Sequence, residues 1–295
     1  MKYAFITQHK KTWPVDVMSR LLGVSRNAYY RYCQRQRNRP PDSEREAIIA
    51  DVKEVAKSSK YSYGSRRMKH ALNALGHPVG RRKARSLMRE AGVKARYRRK
   101  HKVTTNSDHK QPVFDNVLAR EFTTAEPGQA YVTDITYIWT QEGWLYLAAF
   151  IDLFSRRVVG WSMSSRMKAK LVTDALRMAI WQRQPDAGLI VHSDRGSQYA
   201  SKIYRRLLQT NDFIGSMSRK GGCWDNAVNA VAESFFASLK KERVQWRHYQ
   251  TRVEAQRDIL DHIVMFYNSR RLHSTLGYTS PNDYESAVVE LRKAA

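Results

Sequence analysis

A chain of 295 residues with 42% hydrophobic content is long enough for two or three domains, one with a sizeable core, and too apolar to be a disordered polymer. Its net charge of +25 is lopsided: residues 1–102 hold 27 Lys and Arg against 7 Asp and Glu, while the remainder holds 25 against 20. Such crowding of like charge calls for a polyanionic partner, since each neutralised phosphate also releases counterions. The longest apolar run, residues 144–151, is far too short to span a bilayer, so no membrane partner is expected.

The start of the chain has no apolar stretch of signal-peptide length. Cys33 and Cys223 are isolated thiols without metal-ligand spacing, which suits a reducing cytoplasm. Within residues 1–40, "WPVDVMSRLLGVSRNAYYRY" predicts two short helices broken at Gly23, with Ser25 capping the second. Met18, Leu21, Leu22 and Val24 form their small core, and Arg26 and Arg31 lie on the second helix. This is a helix-turn-helix pattern that any small helical hairpin shares.

Residues 41–102 hold a clearer pair. In "SRRMKHALNALGHPVGRRKARSLMREAGVKAR", Met68, Leu72 and Leu75 form one apolar stripe closed by Gly76. A second helix starts at Arg81 with Ala84, Leu87, Met88 and Ala91 inward and Gly92 as its stop. Arg81, Arg82, Lys83, Arg85 and Arg89 cover its other faces. A solvated surface would read the same way, but the basic run "KARYRRKHK" extends it and favours DNA contact by these five residues.

Residues 103–126 turn polar and lose periodicity, as a linker does. From residue 127 the texture changes to strands: "AYVTDITYIW", "GWLYLAAFIDL" and "RRVVGWSMS" follow at hairpin spacing. A helix over 168–182, the strand "GLIVHSD", the helix "YASKIYRRLLQTN" and the strand "FIGSM" come next. Two helices, over 233–244 and 252–268, complete a core spanning 127–285, and 286–295 is a tail. The fold class is therefore α/β, a mixed-sheet core preceded by an all-α helix-turn-helix region.

Two aspartates stand out. Asp134 lies inside an apolar strand, and Asp194 ends another just before Arg195-Gly196-Ser197. A strand-interior carboxylate is disfavoured and costly to desolvate unless a cation compensates it, and hard oxygen ligands suit Mg²⁺. Phosphoryl chemistry at two metals usually wants a third carboxylate. Asp212 sits in a turn, Asp225 in a loop where it caps the coming helix, and Glu242 among Lys240, Lys241 and Arg243, as a solvated member of a charged patch. Glu233 differs: it precedes "SFFASL" on a helix that must pack, and Lys240 lies two turns further along nearly the same face.

The strings "TDITYI", "IDLFSRRVVGWSM", "VHSDRGSQYAS", "CWDNAV…AESFFASLKKE" and "YNSRRLHSTLGYTSPNDY" resemble the DDE transposases of bacterial insertion sequences. More narrowly they resemble the second-reading-frame product of the IS3 group, relatives of retroviral integrase, over residues 63–284. The resemblance implies a ribonuclease-H-like core in which Asp134, Asp194 and Glu233 ligate two Mg²⁺ or Mn²⁺ ions. It implies cleavage at the terminal inverted repeats and strand transfer into target DNA, with Lys240, Arg195 and His192 orienting DNA. It further implies a homo-oligomer on DNA, a companion helix-turn-helix protein from an overlapping frame, and the nucleoid of a bacterial cytoplasm. Of the terminal motif, Arg270 and Arg271 are candidates for reaching phosphate.

One departure is visible: Asn-Ala-Val occurs twice over 226–231, so 38 residues separate Asp194 from Glu233, three more than the family interval. The packed face from Phe236 onward is expected to fix the helix, and the extra residues to be absorbed over 224–231, in the loop and helix start. Two other readings fit the same residues: a nuclease on this fold that cuts without joining, and a DNA-binding repressor or decayed transposase disabled by the repeat.

Overall fold

The computed structural model describes residues 1–37, 42–96, 114–115, 124–218 and 226–294. The chain divides into two units, Met1–Ala50 and Asp51–Ala295.

The first unit holds α1 (Lys2–His9), α2 (Val15–Leu21) and α3 (Arg26–Arg37). Ile6, Met18 and Tyr29 are its buried centre, with Leu22 and Val24 packed against them. Gly23 turns the chain at φ +61°, and Ser25 Oγ accepts from the Ala28 amide at 3.3 Å, the expected cap. Leu21, assigned to the core from sequence, is exposed instead: it is the last residue of α2, and Ile6 from α1 completes the buried centre.

The helix α4 (Ser43–Ser58) crosses the boundary between the units, and α5 (Ser65–Ala74) and α6 (Arg81–Glu90) follow. Met68, Leu72, Ala84, Leu87 and Met88 are buried as their spacing requires. Leu75 is exposed, because α5 has already ended: Leu75 is its C-cap and falls off the stripe.

A single sheet follows, made of β1 (Ala130–Thr140), β2 (Gly143–Asp152), β3 (Val158–Ser164), β4 (Ile190–Ser193) and β5 (Ile214–Met217), in the order β3-β2-β1-β4-β5. The first three strands are an antiparallel meander, and β4 and β5 add in parallel. Parallel neighbours need crossovers, supplied by α7 (Ala169–Arg183) and α8 (Lys202–Thr210). Then come α9 (Asn226–Glu242), α10 (Arg252–Asp261) with its π-helical continuation His262–Asn268, and α11 (Pro281–Ala294), which runs across the boundary expected at residue 285.

Alternation along the strands feeds two cores. Ala130, Val132, Ile138, Leu145, Leu147 and Ala149 meet α9 and α10, while Tyr131, Ala148 and Phe150 meet α7 and α8. At Gly160, α7 comes so close that a Cβ would lie 2.4 Å from the Ala175 carbonyl oxygen. Asn268 clamps the start of β3, donating to the Val158 carbonyl and accepting from its amide, both at 2.9 Å. Three antiparallel strands followed by two parallel ones between helical layers make a ribonuclease-H-like core. Among the described residues no helix is long and apolar enough to cross a membrane.

Candidate active site

The parallel pairing of β1 with β4 sets Tyr131 opposite Val191 and Val132 opposite His192. Two residues further along each strand stand Asp134 and Asp194. The pairing ends at Val132 and His192, and Asp134 feels the Asp194 carboxylate from just beyond the end of β4. Period-two alternation turns Asp134 to the side of Val132 and Ile138, the side covered by α9. On α9, Ala232, Phe235, Phe236 and Leu239 are buried in that core, which leaves Glu233 exposed at the margin of the packed face.

The electrostatics tie the three acids together. Burial, then the Asp194 carboxylate and more weakly that of Glu233, push the Asp134 carboxyl up to about 7. The Ile135 amide, which donates to Asp134 Oδ1 at 2.7 Å, and the Lys240 ammonium pull the other way. The buried Tyr199 hydroxyl, 3.2 Å from Thr133 Oγ1, is raised by burial first and then by Asp194 and Asp134. Asp194 is held at the turn by the Gly196 amide, which donates to its Oδ1 at 2.9 Å.

Lys240 stands with its ammonium 4.5 Å from the centre of the Tyr137 ring. Burial lowers its pKa, opposed by Tyr137 and Asp134. From Asp134 to Tyr137 is ~10 Å along a strand, and from Glu233 to Lys240 ~10.5 Å along a helix. The two elements thus run in step, one carboxylate pair at one end and the cation at the other. Asp134, with the Asp194 and Glu233 carboxylates it feels, supplies hard oxygen donors and negative charge, the donor chemistry of a hard divalent cation. Among the described residues, no three acid, imidazole or thiol groups stand close enough to hold one ion together.

Other expected residues fall as follows. Arg81, Arg82, Lys83, Arg85 and Arg89 are all exposed on α6. Arg195 is half-buried, its Nε donating to the Ser218 carbonyl at 2.7 Å. Asp225, with most of the basic run 94–102, lies outside the described residues. The helix carrying Glu233 starts at Asn226, directly after the expected cap position 225 and ahead of the 233–244 span, so both copies of Asn-Ala-Val lie in the helix and not partly in the loop.

Glu242 is a correction. It is 5% exposed, not solvated, and Arg271 grips it through Nε at 2.9 Å and Nη2 at 2.8 Å, with Arg67 Nη1 at 3.7 Å. Arg271 also donates to Ser238 at 2.9 Å and is itself buried, so it does not reach phosphate. The lysines beside Glu242 in sequence misled because the true partner is 29 positions away. His192 is likewise buried, bridging Ser216 and Ser218 hydroxyls at 2.9 and 3.2 Å.

The integrase core domain family matches residues 124–223, a second integrase core family matches 233–289, and an HTH-like domain family matches 43–101. The transposase InsF for insertion sequence IS3A of Escherichia coli (strain K12) is 40% identical over 287 residues, covering 97% of this chain and 99% of the relative. The chain belongs to the IS3 group of DDE transposases. An uncharacterized 31 kDa protein of insertion element IS600 from Shigella sonnei is also 40% identical, over 90% of this chain and 96% of its own. Among solved structures, the HTLV-2 integrase catalytic core domain in complex with magnesium aligns at 13% identity and a TM-score of 0.38, covering 53% of this chain and 95% of that one. As an IS3-group transposase, the protein is a DNA polynucleotidyl transferase that cleaves DNA in transposition. Its two integrase-core matches leave 224–232 between them, the stretch that holds the repeat.

Proposed function

We propose that Asp134, Asp194 and Glu233 are the catalytic carboxylates of this transposase, and that they hold two Mg²⁺ or Mn²⁺ ions against the scissile phosphodiester. The observation that carries this reading is the parallel pairing of β1 with β4 and the packing of α9 on the Asp134 side of β1, which gather acids from three separate stretches of chain into mutual electrostatic influence. When bound, such ions activate the attacking oxygen and neutralise the leaving one. The side chains do the rest. Asp134 and Glu233 would hold the ions as carboxylates, Asp194 is oriented by the Gly196 amide, and Lys240 would present a cation to the phosphate.

In this reading, element ends are engaged by the basic face of α6, through Arg81, Arg82, Lys83, Arg85 and Arg89, and Arg195 steadies the end of β5 rather than DNA. The substrates are the terminal inverted repeats and a target duplex, handled by a homo-oligomer in the bacterial cytoplasm with a companion helix-turn-helix protein from an overlapping frame. The test is a cleavage and strand-transfer assay on the element's own ends with Mg²⁺ or Mn²⁺. The parent gives nicked and joined products, while Asp134→Asn binds ends and yields neither. Nicking without joining in the parent refutes the transferase reading, and full activity in Asp134→Asn refutes the site.

A further inference from the structure

Beyond Asp134, β1 carries Tyr137 and Trp139 on its other face, paired in register with Tyr146 and Trp144 of β2. The Trp144 ring meets Tyr137 edge-on at 5.0 Å and Trp139 at 4.8 Å. Both tryptophans are open to solvent, Trp139 at 55% and Trp144 at 44%. The hairpin that bears them is braced, with the Gln141 amide donating to the Tyr249 carbonyl at 3.0 Å. The Arg252 amide donates to Glu142 Oε2 at 2.8 Å and Arg252 Nε to the Trp144 carbonyl at 3.1 Å. The rings are therefore held in place before anything binds, and their conformational entropy is already spent. The Lys240 ammonium, reaching past β1 from α9, stands over the same cluster at 4.5 Å from Tyr137.

We propose that Tyr137, Trp139 and Trp144 form a stacking platform for unpaired nucleobases of the DNA strand that runs past the carboxylates. Fixed aromatic faces beside a cation are what single-stranded nucleic acid binds, base on ring and phosphate on ammonium. Measured along β1 alone, Tyr137 and Trp139 lie ~10 and ~17 Å from Asp134, roughly three to five nucleotide steps at duplex spacing, and Lys240 links the Asp134 side of the strand to the rings on the other. A second protein chain fits less well, since an apolar partner would strip water from the Lys240 ammonium, whereas a phosphate supplies a counter-charge. The inference rests on the catalytic reading above, and it assigns the hairpin the task of holding bases that melt near the cut.

The test measures binding of the full-length protein to an element-end duplex, blunt or with a short unpaired tail, at one fixed salt concentration. The parent prefers the tailed duplex, and its tryptophan fluorescence falls as an unpaired oligonucleotide is added. Trp139→Ala with Trp144→Ala weakens tailed-duplex binding about tenfold while blunt binding holds within about twofold. Trp139→Phe keeps the preference, which separates loss of stacking from loss of folding. Equal affinity of parent and double variant for both duplexes overturns the proposal. So does a double variant that sediments as a smaller species than the parent with its tail preference intact, because the rings would then face another copy of the chain. Asp134→Asn is run alongside: if it still makes product, the catalytic reading fails, while the tail preference remains readable on its own.

Discussion

Deleting residues 229–231 removes one Asn-Ala-Val and shortens the stretch between Asp194 and Glu233 from 38 residues by three. Three residues taken from a helix turn one side relative to the other by about 300° and shift it about 4.5 Å, so one side of the cut must move. If it were the C-terminal side, Phe235, Phe236 and Leu239, all at most 5% exposed, would leave the core. At ~1.5–3 kcal/mol each, that is ~5–9 kcal/mol. If it is the N-terminal side, only about three residues of helix propensity are at stake, at most ~0.7 kcal/mol each. The difference decides the outcome: Glu233 stays where the core holds it, and the start of α9 re-forms upstream. Single-turnover cleavage per folded molecule should change by less than about threefold, well short of the hundredfold that ~1 Å of displacement costs. The melting temperature should move by only a few degrees. A rise in cleavage of about a hundredfold on deletion would show that the parent's glutamate is misplaced, and would refute this partition of the strain.

Three further outcomes follow from the packing. Gly160→Ala puts a Cβ 2.4 Å from the Ala175 carbonyl and 2.7 Å from Ala179 Cβ, so α7 must lift off the sheet. A loss of ~3 kcal/mol or more is expected in thermal or denaturant melting, and a neutral result would contradict the close approach. Arg271→Met leaves the buried Glu242 carboxylate with the longer Arg67 contact in place of its two close hydrogen bonds and should destabilise by ~3 kcal/mol, whereas Arg270→Met, at an exposed position, should change melting little. His262 is 1% exposed, and burial, the leading cause, lowers its pKa to about 4. The unfolded chain therefore takes up a proton between about pH 6.5 and 4 that the folded one refuses. Stability is full above that window and falls by about 3 kcal/mol as the pH drops through it. His262→Leu should flatten that slope in part, since His273, lowered to about 3, titrates in the same direction.

Most of the core was legible because its strands are long and β-branched and its helices amphipathic. Residues 130–139 were read as a strand and β1 spans Ala130–Thr140, a boundary shift of one residue. Asp134 and Asp194 announced themselves by chemistry that clashes with their surroundings. What the sequence hid was pairing at a distance. Glu242 looked solvated because its neighbours are lysines, and only folding shows Arg271 arriving from the terminal motif. The stripe of Leu75 and the core place of Leu21 failed for a different reason: each lies at a helix end, where periodicity continues on paper after the helix has stopped. The start of α9 was misjudged because Asn and Val lower helix propensity locally, a weak preference that the packed remainder of the helix overrides.

The contacts around Glu242 extend to the helical region before the sheet. The Tyr63 hydroxyl accepts from the Leu272 amide at 3.0 Å and donates to the Arg270 carbonyl at 2.9 Å. Arg67 donates to the Leu272 carbonyl at 2.8 Å, and Arg96 to that of Glu242 at 2.9 Å. Lys60 pairs with Asp261 at 2.7 Å. These stitches join residues about 150 to 210 positions apart, so the helical region before the sheet is not a detachable cassette. A chimera that imports α4–α6 from a relative without residues 270–278 should fold with a ragged seam and cut poorly even where it binds. Change in that helical region must then travel with change in the C-terminal motif, and paired exchange of the two segments should recover what either swap alone loses.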